Sequence, residues 1–281
     1  MAGGAVTRFA PSPTGLLHLG HAYAALVAER LADPGRFLLR IEDIDRDRCR
    51  PEYEAAIHED LAWLGLSWQQ PVMRQTDRMQ AYRDALARLA PLAYPCQCRR
   101  GDIRAVLSAP QEGALPAGPD GLVYPGTCRA RGLSDAGPGD VIRLDVARAF
   151  DALGIDRIGF RDESIMPDQD HVLTKDQFLD GIGDVILSRR GMGTSYHLAV
   201  VVDDAAQGIT LVTRGKDLFD STFIHVLLQK LLRLPTPAYH HHRLIRDDAG
   251  KRLAKRDDAR ALRHYRQDGA TPQDIRRMIG L

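Results

Sequence analysis

The sequence contains no run of roughly 18 apolar residues, which excludes a membrane-crossing helix. Its start, Met1 to Ala5, lacks the basic opening and long apolar stretch of a secretion signal, so the cytoplasm is the expected location. Charge surplus is also missing: 38 Lys and Arg face 37 Asp and Glu, a formal net charge of +1. Near-neutrality neither demands nor forbids a nucleic-acid partner, because a basic face can coexist with an acidic remainder. Cysteine is scarce, at Cys49, Cys96, Cys98 and Cys128; in a cytosolic chain this suggests metal binding or plain packing before disulfides. There is no repeat at solenoid periods. The only low-complexity tract, His240-His241-His242, reads as an exposed or cleft-edge segment. What remains is ordinary globular composition, 44% apolar and 27% charged, over 281 residues. That length suffices for one large domain or two moderate ones.

Residues 5–10 predict a short strand, and Pro11-Ser12-Pro13-Thr14-Gly15 breaks it. Ala22, Ala25, Leu26 and Glu29 fall at helical spacing, ending near Asp33-Pro34-Gly35. Residues 37–41 form a compact apolar run typical of a buried strand, followed by helical residues 51–64. Strand, helix, strand, helix predicts an α/β fold with a Rossmann-type parallel sheet. After a helix over 78–89, residues 108–140 are dense in proline and glycine, which predicts irregular backbone in a small inserted subdomain. Regular patterns return at 141–146 and 184–188. Residues 196–203 are the most strand-like run in the chain, and 209–213 give a further strand. An amphipathic helix runs from Leu218 to Leu231, stopped by Pro235 and Pro237, and an arginine-rich helical tail closes the chain. The expected organisation is 1–92 and 146–232 as two halves of one domain, 93–145 as the insertion, and 233–281 as a loop and short helical part.

The sharpest local signal is Pro11-Ser12-Pro13-Thr14-Gly15-Leu16-Leu17-His18-Leu19-Gly20-His21, between a strand and a helix. A turn there presents free N–H groups and the positive helix end to one crevice, a seat for phosphates. His18 and His21 add donors, and Gly20 lets a flat base approach the backbone. Downstream, Lys251-Arg252-Leu253-Ala254-Lys255-Arg256 follows the flexible Asp248-Ala249-Gly250. A loop of this kind can close over a triphosphate.

With these residues in view, the run Arg8-Phe9-Ala10-Pro11-Ser12-Pro13-Thr14-Gly15 with His18-Leu19-Gly20-His21 resembles the opening of the glutamyl-tRNA synthetases, which are class I aminoacyl-tRNA synthetases. Residues 39–45, 196–204 and 209–215 resemble later blocks of that family, in order and over nearly the whole chain. The lysine loop departs from the family at Arg252 and Ala254 and keeps Lys255. The resemblance implies ATP with Mg2+ and L-glutamate as substrates. It assigns His18, Gly20, His21 and Lys255 to ATP chemistry. It assigns Arg8, Arg214, Glu42, Tyr196, Ser12 and the Phe9-Ala10-Pro11 backbone to glutamate. The chemistry agrees: a diacid amine needs about two cationic forks and one anion, and a guanidinium meets a carboxylate with two parallel hydrogen bonds. The competing reading of each residue alone is an ion pair, Arg214 with Asp217 and Glu42 with Arg40 or Arg46.

Closing 96–128 with a metal would give a core-poor insertion a staple. Zinc prefers four ligands, and only Cys96, Cys98 and Cys128 are near unless Cys49 joins. The resemblance implies a tyrosine as fourth ligand in the glutamyl-Q branch of the family, at the place of Tyr124. That branch has no anticodon-reading module, and it attaches glutamate to queuosine in tRNA(Asp). This chain stops soon after Lys255, so queuosine-bearing tRNA(Asp) is its expected acceptor, with a monomer as the expected state. The alternatives are a fragment of a conventional glutamyl-tRNA synthetase and an inactive RNA-binding relative.

Overall fold

The computed structural model describes residues 4–108, 115–246 and 260–281. Its first half runs β1 (Val6–Phe9), α1 (Leu19–Ala32), β2 (Arg36–Ile41), α2 (Pro51–Trp63), β3 (Gln69–Arg74), α3 (Met79–Leu89) and β4 (Ala93–Cys96). Then come α4 (Arg100–Leu107), a small hairpin of β5 (Ala117–Gly118) and β6 (Gly121–Leu122), and β7 (Val141–Leu144). The second half runs α5 (Val146–Leu153), β8 (Arg157–Arg161), β9 (Asp170–Thr174), α6 (Lys175–Gly181), β10 (Ile186–Ser188), α7 (Tyr196–Ala206) and β11 (Leu211–Gly215). It ends with α8 (Ser221–Leu231), β12 (Ala238–His242), α9 (Leu262–Gln267) and α10 (Pro272–Met278). No described helix is long and apolar enough to cross a membrane.

The expected parallel strands are present. β1 pairs with β2 and β2 with β3, all parallel, and β11 pairs parallel with β12. The two pieces meet where the Thr210 amide donates to the Val6 carbonyl at 3.0 Å. A second, antiparallel sheet of order β10-β7-β4 was not anticipated; it closes the base of the segment between Cys96 and Val141. Nor was the β8–β9 hairpin, which joins β12 through an Asp162–Tyr239 bridge.

Strand alternation decides what the sheet offers to each side. Phe9, Phe37, Leu39 and Ile41 pack into the cluster beneath α1, where Thr7 Oγ1 also donates to the Ala28 carbonyl. Val6, Leu38 and Val212 pack into the opposite cluster, with α7 and α8. Arg8, Arg40 and Arg214 share the parity of this second set, so each guanidinium stem enters the layer that α7 covers.

Residues 196–203 are helical, not a strand. Ser195 caps α7, its Oγ accepting from the Leu198 amide at 3.3 Å. The helix is buried on nearly all sides, which removes the polar stripe that would have revealed its period. Asp203 anchors it to α3 and to the turn just before α3, accepting from Tyr82 in the first and from Gln75 and Arg78 in the second. Of the two readings of the His240–His242 run, the cleft edge holds and the exposed segment does not: the run ends β12, His241 and His242 are buried, and His242 lines the cleft.

Candidate active site

A cleft of about 370 Å³ opens where the ends of β1 and β11 lie side by side. This is the crevice beyond the strand ends where open α/β sheets hold ligands. It is lined by Arg8, Phe9, Ala10 and Glu42 from the strand ends, His18, Gly20 and His21 from α1, Tyr196 from α7 and Arg214 from β11. Nine residues singled out from the sequence therefore converge on one surface. Pro11 and Ser12 are set back from that lining: the Pro11 carbonyl accepts from the Glu42 amide at 3.0 Å, and Ser12 Oγ lies 3.9 Å from Cys49 Sγ. Lys255 and the rest of Lys251–Arg256 lie outside the described residues. Both flanks of that stretch are described, and both touch the cleft wall. Ile245 lines the cleft, and Ala261 bridges His18 while the Leu262 amide donates to the Leu17 carbonyl at 2.8 Å.

The start of α1 is built around its two imidazoles. His18 Nδ1 accepts from the Gly20 amide at 3.1 Å, and His21 Nδ1 accepts from the His18 amide at 3.2 Å. Each ring therefore carries its proton on Nε2. A Cβ on Gly20 would stand 3.0 Å from the His18 ring, so glycine is what lets the ring fold back over the first turn. Donor imidazoles at a helix N-terminus suit an anionic ligand.

Arg8 and Glu42 belong to a buried ion network with Arg40, weighed from the sequence only as a partner of Glu42, and Asp204, assigned no role from the sequence. Arg8 Nε and Arg40 Nη1 both reach Asp204 Oδ1, at 2.9 and 2.7 Å, and Arg40 Nη2 reaches Glu42 Oε1 at 3.1 Å. Arg8 also donates to the Thr213 carbonyl at 3.1 Å, so its fork spans the seam between β1 and β11. Burial alone would raise the Asp204 carboxyl, but Arg8 and Arg40 outweigh it and hold the group below its ordinary range. For Glu42 burial wins over Arg40 and Arg8, and the pKa is raised. The Glu42–Arg40 ion pair is thus realised, yet it occupies one oxygen of a carboxylate that still lines the cleft.

Arg214 does not form the surface pair with Asp217. It is 6% exposed, and its hydrogen bonds go to His225 Nδ1, His241 Nε2, Thr222 Oγ1 and the Leu218 carbonyl, all neutral acceptors. Burial depresses its pKa, with Arg8 adding to the effect. A buried cation whose partners carry no charge attracts an anion.

Away from the cleft, Cys96, Cys98 and Cys128 bring their sulfur atoms within 4.8 Å of one another and could hold a metal ion. Tyr124 joins them, its hydroxyl 3.3 Å from Cys96 Sγ and 3.6 Å from Cys98 Sγ. Zinc–sulfur bonds in a tetrahedron place sulfur atoms about 3.8 Å apart, which this cluster can meet with little movement. Cys49 is not part of it, lying instead beside Ser12.

The profile described as "tRNA synthetases class I (E and Q), catalytic domain" matches residues 5–120 and 155–281. A glutamyl-Q tRNA(Asp) synthetase of Rhodobacter capsulatus is 58% identical over 98% of this chain and 100% of its own length. One from Symbiobacterium thermophilum is 41% identical over 95% of this chain and 83% of its own. Among solved structures, the glutamate-tRNA synthetase of Elizabethkingia anophelis superposes with a TM-score of 0.75 at 25% identity, and this chain spans 61% of its length. The chain therefore belongs to the class I tRNA synthetases of the E and Q type and, within them, to the glutamyl-Q tRNA(Asp) synthetases.

Proposed function

We propose that this protein is a ligase that activates L-glutamate with ATP and Mg2+ and passes the glutamyl group to the queuosine base of tRNA(Asp). The observation that carries the first half is the cleft itself. Arg8 and Arg214 come from different strands to one cleft, Glu42 lines it with them, and the start of α1 brings two imidazole donors. A dicarboxylate with one ammonium complements the first three, and a triphosphate complements the last. The acceptor is supported by the similarity to glutamyl-Q tRNA(Asp) synthetases at 58% identity.

In the reaction, an oxygen of the glutamate α-carboxylate attacks the α-phosphorus of ATP, and pyrophosphate leaves with the bonding electrons. Both reactants are anionic, so positioning by hydrogen bonds from His18 and His21 and charge neutralisation by Lys255 and Arg8 do the work. Magnesium would screen the phosphates. A hydroxyl of queuosine then attacks the mixed anhydride and releases AMP. Tyr196, Ser12 and the Phe9-Ala10-Pro11 backbone complete the amino-acid site in this reading. The protein works as a cytoplasmic monomer, with 93–145 as the inserted subdomain.

Glutamate-dependent exchange of pyrophosphate into ATP tests the first step. Transfer of labelled glutamate to tRNA(Asp) with and without queuosine, beside tRNA(Glu), tests the second. Labelling of queuosine-bearing tRNA(Asp) is expected; charging of tRNA(Glu) alone would overturn the acceptor.

Cys96, Cys98, Cys128 and Tyr124 would hold one structural zinc, supplying the insertion with a cross-link its small core lacks. Protein purified without metal-affinity resin should contain about one zinc per chain by mass spectrometry, falling to well under half in Cys128→Ser. Zinc-free wild type would remove the assignment.

A further inference from the structure

Arg214 is the terminus of a chain of side chains that leads into the inserted segment. Its Nη1 donates to His225 Nδ1 at 2.8 Å, His225 Nε2 lies 3.0 Å from His197 Nδ1, and His197 Nε2 lies 2.9 Å from an oxygen of Asp120. His197 and His225 are 4% and 2% exposed, while Asp120 sits between β5 and β6 with its side chain 38% exposed.

A guanidinium donates and never accepts, which settles the protons along the whole chain. His225 must present a lone pair on Nδ1, so its proton is on Nε2. That proton requires a lone pair on His197 Nδ1, so the His197 proton is also on Nε2 and is donated to Asp120. A second, shorter arm is built on the same logic: Arg214 Nε donates to His241 Nε2, and His241 Nδ1 donates to Asp162.

We propose that His197, His225 and Asp120 are positioning residues that fix Arg214 through imidazoles of one tautomer and keep the carboxylate at a distance. A carboxylate directly on Arg214 would cancel the charge that a substrate carboxylate needs. An interposed neutral ring accepts the hydrogen bond, holds the guanidinium plane, and leaves the positive charge for the ligand. The insertion thereby contributes a residue, Asp120, to amino-acid selection as well as a metal cluster. The functional consequence rests on the glutamate reading of the cleft; the tautomer pattern does not.

Nitrogen-15 spectra of the ligand-free wild-type protein test the pattern directly, with single-histidine variants giving the assignments. The Nε2–H form is expected for His197 and His225 and the Nδ1–H form for His241; an Nδ1–H form on His197 or His225 overturns the proposal. In exchange kinetics, Asp120→Ala should raise the KM for glutamate about tenfold, the size of one weakened charge-assisted contact, with kcat and the KM for ATP within about twofold. Asp120→Asn, whose carbonyl can still accept from His197, should recover part of the loss. An unchanged glutamate KM in Asp120→Ala, or equal losses for both substrates, overturns the positioning role. In an Arg214→Lys background, Asp120→Ala should add nothing. If Arg214→Lys alone leaves the glutamate KM unchanged, the reading of the cleft fails, and the spectra still decide the tautomers independently.

Discussion

Arg214→Lys is expected to lower kcat/KM for glutamate in pyrophosphate exchange by about 10²–10³-fold, with a much smaller change in the KM for ATP. The native guanidinium uses three nitrogen atoms to hold four acceptors, from His225, His241, Thr222 and Leu218. Its plane is therefore fixed before any ligand arrives, and the one remaining N–H, on Nη1, is a pre-aimed, charged donor that loses little entropy when it meets a carboxylate. A lysine ammonium carries the same charge on a single atom. It can satisfy some of those acceptors or the ligand, but not both. Varying glutamate and ATP separately, beside a melting curve, checks the result. A loss below about fivefold would mean that this guanidinium does not meet the amino acid.

The second large effect is on stability. Asp204→Ala should destabilise the protein by about 3–5 kcal/mol at neutral pH, because it leaves two buried guanidiniums without the carboxylate they share. Arg40 is fully buried and Arg8 is 5% exposed, so water cannot take over. Arg40 would retain Glu42, whereas Arg8 would keep only the Thr213 carbonyl as a hydrogen-bond partner. The Asp204 pKa is depressed in the folded state, so its contribution is present above the unfolded carboxyl value and is lost as pH falls through the folded one. Urea unfolding at pH 7 and again near pH 3 should therefore show a large gap between wild type and variant at the first and a smaller gap at the second. Equal gaps would mean that packing, not charge, sets the cost.

The strands and helices with one-sided patterns were legible from residues alone. β1, α1, β2, α2, α3 and α8 all fall within a few residues of their expected places. What failed was any element whose surroundings are non-local. Tyr-His-Leu-Ala-Val-Val-Val reads as a strand because β-branched residues cluster there, yet Ser195 caps a helix that is covered on both sides. The only local hint was that serine. Three consecutive histidines read as exposed or as a cleft edge, and only the pairing of β12 with β11 and the bond of Asp162 to His241 decide for the buried edge. The cleft shows the same division. Its lining was readable because the motif residues sit at strand ends and at a helix start. Most of its supports (Asp204, His197, His225 and Asp120) were not, because their meaning lies in partners up to 196 residues distant; Arg40 was readable only as a partner of its near neighbour Glu42.

The seam between β1 and β11 has a further consequence. Where neighbouring strands elsewhere in the sheet are stitched rung by rung, these two are tied by the Thr210–Val6 amide bond, the Thr210 hydroxyl and the Arg8 side chain. Arg8 and Arg214 stand on opposite banks of that gap. A doubly charged guest gripped by both would act as a missing rung, so that filling the site and closing the sheet become a single event.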